Sequence, residues 1–162
     1  MATQASVSPT ALRRRARMMR LINPVMRTAL RVPARTPLSS RLMVVSHRGR
    51  RTGRLYHQPV SYVRDCDVHL TPGGGRWTRN LHEGQPVELR VAGRRVIARP
   101  ELVDDAETVE QLLRHMLERN PRLTRFVPFI GADGAIDRDV LTIALANGFC
   151  IVRWHLDSAA SS

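Results

Sequence analysis

The residues of this chain best suited to binding chemistry form a short basic segment, His47-Arg-Gly-Arg-Arg-Thr-Gly-Arg54. Glycine lets the backbone approach a ligand closely, and successive backbone amides can then form a nest for an anion. Arginine adds planar guanidinium groups that pair with phosphate or carboxylate through two parallel hydrogen bonds. The segment lacks the Lys-Ser/Thr ending of a nucleotide-hydrolase phosphate loop. It predicts an anion-binding loop, although the same composition is also typical of a solvated hairpin loop.

A second segment, Gly73-Gly-Gly-Arg-Trp77 followed by Arg79-Asn80-Leu81, would also let the backbone approach a flat ligand. Trp77 fits two roles, a core side chain or a lid over a bound ring. Asn80 likewise could bond a ring edge or hold the turn.

The charge of the chain is concentrated in its first part. Residues 1–64 contain 14 arginines and no acidic residue, whereas the remaining 98 residues contain 12 arginines and 14 acidic residues. There is no lysine, which excludes Schiff-base chemistry and a lysine general base. Every basic anion contact must therefore come from a guanidinium fork.

No catalytic or metal-binding constellation is evident in the sequence. The two cysteines, Cys66 and Cys150, have no partner spacing, and the six histidines are scattered without ligand spacing. Each histidine is therefore interpreted as a surface or structural residue. No Ser/His/Asp or paired-carboxylate pattern appears, so we nominate no catalytic residue and no metal ligand.

Short strands are expected to position these segments. The basic loop is flanked by two predicted strands, Leu42–Ser46 and Gln58–Val63. A turn at Arg64-Asp-Cys-Asp67 then leads into a third predicted strand, Val68–Thr71.

The segment Trp77–Glu83 predicts one or two helical turns. Pro86–Val91 and Arg95–Val103 flank a hairpin turn at Ala92-Gly93-Arg94. Asp104–Arg119 is the clearest helix. Leu141–Ala146 and Phe149–Leu156 are predicted as the last strands. These elements predict an α+β fold, an antiparallel barrel with one main helix.

The basic N-terminal segment predicts a separate element. Over Pro9–Leu30 the apolar residues have helical spacing beside a stripe of arginines, and the segment could either contact an anionic membrane surface through residues 10–31 or pack on its own domain. We therefore divide the chain into a basic helical segment and linker (1–38), a barrel domain (39–157) and a disordered tail (158–162). Neither a membrane-spanning stretch nor a signal-peptide apolar core is expected, which predicts a cytoplasmic protein.

Together, the segments Val44–Arg54, Pro59–Asp65, Gly73–Leu81 and Val87–Arg95 resemble the deazaflavin-dependent nitroreductase, or quinone reductase, family of split β-barrel flavoproteins. The resemblance covers about residues 40–103. It implies an FMN-binding-like split β-barrel that binds coenzyme F-420, a deazaflavin with a phosphodiester and a polyglutamate tail, with FMN as the alternative cofactor.

The resemblance also implies which residues contact the cofactor. Its tail and phosphate would lie on Arg48, Gly49, Arg50, Arg51, Thr52 and Gly53. Pro59, Val60 and Ser61 match the strand that runs along the deazaflavin ring, and Trp77 and Asn80 match residues that close over it. In this family the cofactor supplies the hydride, and the protein orients the cofactor against the acceptor.

Three functions remain open. The first is a reductase that delivers hydride to a small quinone, nitro or activated-alkene acceptor, as a monomer or homodimer. The second is a non-catalytic split barrel that binds FMN, haem or a deazaflavin. The third is a nucleic-acid-binding module, suggested by the basic first part of the chain. A low aromatic content of 4% argues against the third.

Overall fold

The computed structural model describes residues 42–157, except 126, 128 and 132. The predicted helix over Pro9–Leu30, the linker that follows it and the C-terminal tail all lie outside the described residues.

The described chain forms one antiparallel sheet of seven strands. In chain order the strands are β1 (Leu42–Arg48), β2 (Leu55–Ser61), β3 (Val63–Asp65), β4 (Val68–Gly73), β5 (Val87–Val91), β6 (Arg94–Val103) and β7 (Cys150–Leu156). Their order in the sheet is β2-β1-β5-β6-β7-β4-β3. Strand β2, at one edge, also comes near β4, so the sheet curls into a split barrel.

Alternating side chains of the strands fill the barrel interior. On β1, Met43 and Val45 are fully buried and pack with Leu89 of β5 and Trp154 of β7. The Trp154 indole donates a hydrogen bond to Thr71 Oγ1 at 3.2 Å, so its polar group is satisfied inside the core.

A second core lies between the sheet and two helices, α1 (Ala106–Arg119) and α2 (Arg138–Ala146). Helix α1 begins after Asp105, whose Oδ1 accepts a hydrogen bond from the Thr108 amide at 2.8 Å. Its buried side chains are Val109, Leu113 and Met116, which share one helical face. The predicted helix over Asp104–Arg119 is therefore confirmed, with its first turn starting two residues later.

The prediction of a strand over Leu141–Ala146 is wrong, because these residues belong to α2. Asp137 caps this helix: its Oδ1 accepts hydrogen bonds from the amides of Asp139 and Val140, both at 3.1 Å. Only Leu141 in the helix is fully enclosed. The predicted α+β split-barrel class is confirmed, but with two helices in the described part of the chain rather than one main helix.

The strand predicted over Gln58–Val63 is also divided differently. Strand β2 begins three residues earlier, at Leu55, and ends at Ser61, and β3 is a separate short strand. Cys66, with a φ of 49°, turns the chain between β3 and β4. The predicted hairpin between β5 and β6 is confirmed, and both Ala92 and Gly93 there have positive φ.

Candidate functional site

The predicted basic loop connects β1 and β2 and is closed by its own backbone. The Gly49 amide donates to the Arg54 carbonyl and the Gly53 amide donates to the Gly49 carbonyl, each at 2.8 Å. The Arg54 amide donates to Thr52 Oγ1 at 3.3 Å. Gly53 has a φ of 65°, a conformation that favours glycine. The loop is thus a built turn with a defined backbone path.

The arginines of the loop have two different environments. Arg48 donates through Nη1 to the Gly53 carbonyl at 3.1 Å, and the Arg54 guanidinium lies 5.8 Å from the centre of the Tyr56 ring. Arg50 and Arg51 occupy the tip and are exposed. Arg48 and Arg54 therefore support the loop, while Arg50 and Arg51 present charge to solvent.

Asn80 joins the basic loop to the second predicted segment. It ends a single 3-10 turn, Thr78–Asn80. Its side-chain Oδ1 accepts a hydrogen bond from the Arg50 amide at 3.1 Å, and its Nδ2 lies 3.3 Å from His47 Nδ1. The Asn80 side chain therefore bridges the 3-10 turn, the basic loop and β1.

His47 lies at the centre of this arrangement. Its residue is 6% exposed, its ring stacks on Tyr56 with centroids 5.6 Å apart, and the Trp77 ring is 6.4 Å away. Burial lowers the pKa of His47 because it disfavours the charged ring, and the nearby His57 lowers it further. The ring is thus held towards its neutral form.

A cavity of about 550 Å³ lies beside the loop. Its walls come from the end of β1, the start of β2, the loop, and the segment from Asn80 to the start of β5. The lining residues are Ser46, His47, Arg48, Gly49, Arg50, Leu55, His57, Asn80, His82, Gln85, Pro86, Val87 and Glu88. This volume falls within the range of about 300–1,000 Å³ that small-molecule sites occupy.

Four of the residues predicted to bind cofactor line this cavity: Arg48, Gly49, Arg50 and Asn80. The other seven do not. Arg51, Thr52 and Gly53 form the exposed tip of the loop. Pro59 and Ser61 are half-buried on β2, whereas Val60 and Trp77 pack with the barrel interior.

Sequence reasoning missed several lining residues. Ser46 on β1 is paired with His57 on β2, and Ser46 Oγ lies 3.1 Å from His57 Nδ1. Glu88 pairs with Ser46 across β1 and β5, which brings a carboxylate into a basic cavity. A signal for His47 was present, because it continues the alternation of Met43 and Val45 on the interior face.

The arrangement can bind an elongated ligand that carries negative charge at one end. Exposed guanidinium groups lie at the tip of the loop, and imidazole, hydroxyl and amide groups lie along the cavity. Within the described ranges, no helix combines the length and apolar character needed to cross a membrane.

Neither a protein-family model nor a curated protein sequence matches the chain. Solved structures do. Atu2129 of Agrobacterium tumefaciens, described as of unknown function, superposes with a TM-score of 0.50 and 14% identity over 81% of this chain and 55% of its own. The haem-storage protein HutZ of Vibrio cholerae gives 0.49 and 15% over 82% and 88%.

A protein described as an F-420 reductase gives a TM-score of 0.45 and 14% identity over 74% of this chain and 88% of its own. At such identities the likeness bears on the fold alone. The curled seven-stranded antiparallel sheet and its helices give the described residues an α+β split-barrel fold, and Atu2129 superposes on it.

Proposed function

We propose that this protein is a reductase that binds reduced coenzyme F-420 and transfers hydride to a small quinone, nitro or activated-alkene acceptor. The observation that carries the proposal is the cavity of about 550 Å³ with the arginine-rich loop as one wall. A flat ring bearing a long anionic tail matches a cavity that opens beside exposed guanidinium groups.

The chemistry of the loop supports the tail-binding part of the proposal. Arg50 and Arg51 are exposed at its tip, and the two intraloop hydrogen bonds of Gly49 and Gly53 hold that tip in place. A preformed site costs less ordering free energy on binding than a flexible one. Guanidinium groups are well suited to both the phosphodiester and the carboxylates of the tail.

When bound, the deazaflavin would supply the hydride, and the protein's residues would bind and orient it. Arg48, Gly49 and Arg50 would border the phosphate-bearing part. The imidazoles of His47 and His57 and the hydroxyl of Ser46 line the same cavity, where they can hydrogen-bond the polar edge of the deazaflavin ring.

The proposal is tested by titrating the full-length protein with coenzyme F-420 and with a deazaflavin that lacks the tail, following cofactor fluorescence. The variant Arg50→Ala/Arg51→Ala should weaken F-420 binding by about a hundredfold or more, since each of the two charge-assisted contacts contributes about 1.5–3 kcal/mol. Arg122→Ala, an exposed arginine that follows α1, is the matched control and should leave binding unchanged.

Tail-free deazaflavin should bind wild type and the double variant equally. Equal losses for both ligands would contradict the role of the loop. If F-420 binds more weakly than about 100 μM, the cofactor assignment fails.

The same titration with FMN and with haemin distinguishes the non-catalytic alternative, a split barrel that stores or senses one of these cofactors. Tight binding of either one, together with no reduction of acceptors by the F-420-loaded protein, would favour the non-catalytic alternative.

We further propose a cytoplasmic protein whose residues 10–31 contact an anionic membrane, where lipophilic acceptors dissolve. Retention of F-420 affinity, together with loss of vesicle binding, after removal of residues 1–36 would support that role.

A further inference from the structure

The orientation of the Asn80 amide is fixed by its neighbours. The backbone amide of Arg50 can only donate, so the atom facing it at 3.1 Å must be the Asn80 oxygen. The Asn80 nitrogen therefore faces His47 Nδ1 at 3.3 Å. Because an amide NH₂ group only donates, His47 Nδ1 must accept.

This requirement selects one form of His47. The ring must be neutral, with its proton on Nε2, since a proton on Nδ1 would place two donors face to face. Turning the Asn80 amide around would not solve the conflict. Its NH₂ group would then face the Arg50 amide, and the contact that fixes the loop would be lost.

Asn80 itself rests on a rigid platform. Thr78, which begins its turn, and Leu81, which follows the turn, are 4% and 5% exposed. Thr78 Oγ1 donates to the Gly75 carbonyl at 3.2 Å, and the Leu81 amide donates to the Thr78 carbonyl at 3.0 Å. A change at His47 therefore acts on the exposed loop, which is the less constrained partner.

We propose that His47 and Asn80 are positioning residues that fix the arginine loop against the cavity, and that protonation of His47 releases it. Binding of an anionic cofactor to this loop rests on the proposed function, but the relay from His47 through Asn80 to the Arg50 amide does not. Acidification would then weaken binding of the anionic tail even though every loop arginine stays charged.

The surroundings of His47 are consistent with this behaviour. On β2, Tyr56 stacks on the ring, and His57 acts together with burial to lower the pKa of His47. The other titratable or charged groups that share the cavity come from β1, the loop, the segment before β5 and β5 itself: Arg48, Arg50, His82 and Glu88.

The first test needs no substitution. In wild-type protein, ¹⁵N NMR of the imidazoles should show His47 as the Nε2–H tautomer at pH 8. The hydrogen-exchange protection factor of the Arg50 amide should fall as the pH drops through the pKa of His47. A neutral Nδ1–H tautomer, or Arg50 protection that does not follow His47, would overturn the proposal.

Substitutions at Asn80 separate positioning from a merely structural role. In Asn80→Asp, one carboxylate oxygen can accept from the Arg50 amide and the other from a protonated His47. This variant should therefore raise the pKa of His47 and keep Arg50 protected after the ring is charged. Asn80→Ala should lose Arg50 protection at every pH. Asn147→Asp is the control. The Asn147 side-chain amide donates to the Ile143 carbonyl at 2.8 Å at the end of α2. Its replacement should change neither the pKa of His47 nor the protection of the Arg50 amide.

F-420 affinity measured from pH 8 to pH 5 gives the functional consequence. It should decrease on acidification in wild type and stay nearly constant in Asn80→Asp. An unchanged pKa of His47 in Asn80→Asp would refute the relay whether or not cofactor binds. If the NMR coupling is present but F-420 does not bind, the relay stands and the proposed function alone fails.

Discussion

Gly49 and Gly53 frame the arginine loop for different physical reasons. Gly53 has a φ of 65°, while a Cβ added there would meet no atom within 4 Å. Gly49 has no such backbone requirement, but an added Cβ would lie 2.9 Å from Tyr56 Cε2 and 3.2 Å from Thr52 Oγ1. Only Gly49 is therefore required by close packing against the ring that stacks on His47.

We predict that Gly53→Ala lowers the free energy of unfolding by about 1 kcal/mol, because a Cβ disfavours left-handed backbone. Gly53→Asn should cost less, since asparagine tolerates this conformation better. Urea denaturation measures both. Equal losses for Ala and Asn would contradict backbone strain as the cause.

We predict that Gly49→Ala displaces the Tyr56 ring from His47, because the new methyl group occupies the position of the ring edge. Ring-current shifts of the His47 protons report this displacement directly. Gly53→Ala is the matched control, and it should leave those shifts unchanged. Unchanged His47 shifts in Gly49→Ala would mean that the loop backbone moves instead of the ring.

At the level of single residues, the sequence indicated the basic loop but only part of its surroundings. Glycine and arginine identify a loop by composition. The role of Asn80 remained divided between a ring contact and a turn contact, because its partner Arg50 is 30 residues away. His47 was interpreted as one of six scattered histidines, since its alternation with Met43 and Val45 indicates an interior position on the strand but not a role in a site.

The elements of the fold were predictable wherever a local signal agreed with burial. Helix α1 shows this agreement, with Asp105 as its cap and Val109, Leu113 and Met116 on one buried face. Helix α2 does not, because its sequence Leu-Thr-Ile-Ala-Leu-Ala is apolar except for the threonine and fits a strand equally well. The decisive signal was Asp137, which caps two amides of the first turn.

We predict that Asp137→Ala lowers the free energy of unfolding by about 1 kcal/mol, because two amides at the start of α2 lose their acceptor. Asp137→Asn keeps a capping oxygen and should cost much less. Circular dichroism during urea denaturation measures both effects. A loss in Asp137→Asn as large as that in Asp137→Ala would indicate that the charge, rather than the cap, matters.

The cavity is a property of the whole molecule and could not be predicted from local patterns. Its walls come from residues 46–57 and from 80–88, which the sheet brings together by pairing β1 with both β2 and β5. Glu88 enters the site only through its register opposite Ser46. No helical or strand periodicity encodes such a register between separate strands.

The stability of the whole molecule should depend on two buried histidines. His69, which stacks on Tyr62 with centroids 5.0 Å apart, is 3% exposed. Burial lowers the pKa of His69, opposed in part by a hydrogen bond with the Val68 backbone, and burial also lowers the pKa of His47. In the unfolded chain both rings titrate near pH 6.5. Below about pH 6.5 the unfolded state thus binds more protons than the folded state, and acid must destabilise the protein.

We therefore predict that the free energy of unfolding is highest above about pH 6.5 and falls as the pH drops through the lowered pKa values of His47 and His69. His69→Phe removes one titrating group while keeping an aromatic ring against Tyr62, so it should flatten the decline between about pH 6.5 and pH 5. His82→Gln, at an exposed position, is the control and should leave the slope as in wild type. Glu101, whose pKa is lowered by its hydrogen bond with His155, affects stability only at lower pH. Urea denaturation at half-unit pH steps measures the slope, and an unaltered slope in His69→Phe would show that burial of His69 does not drive the acid sensitivity.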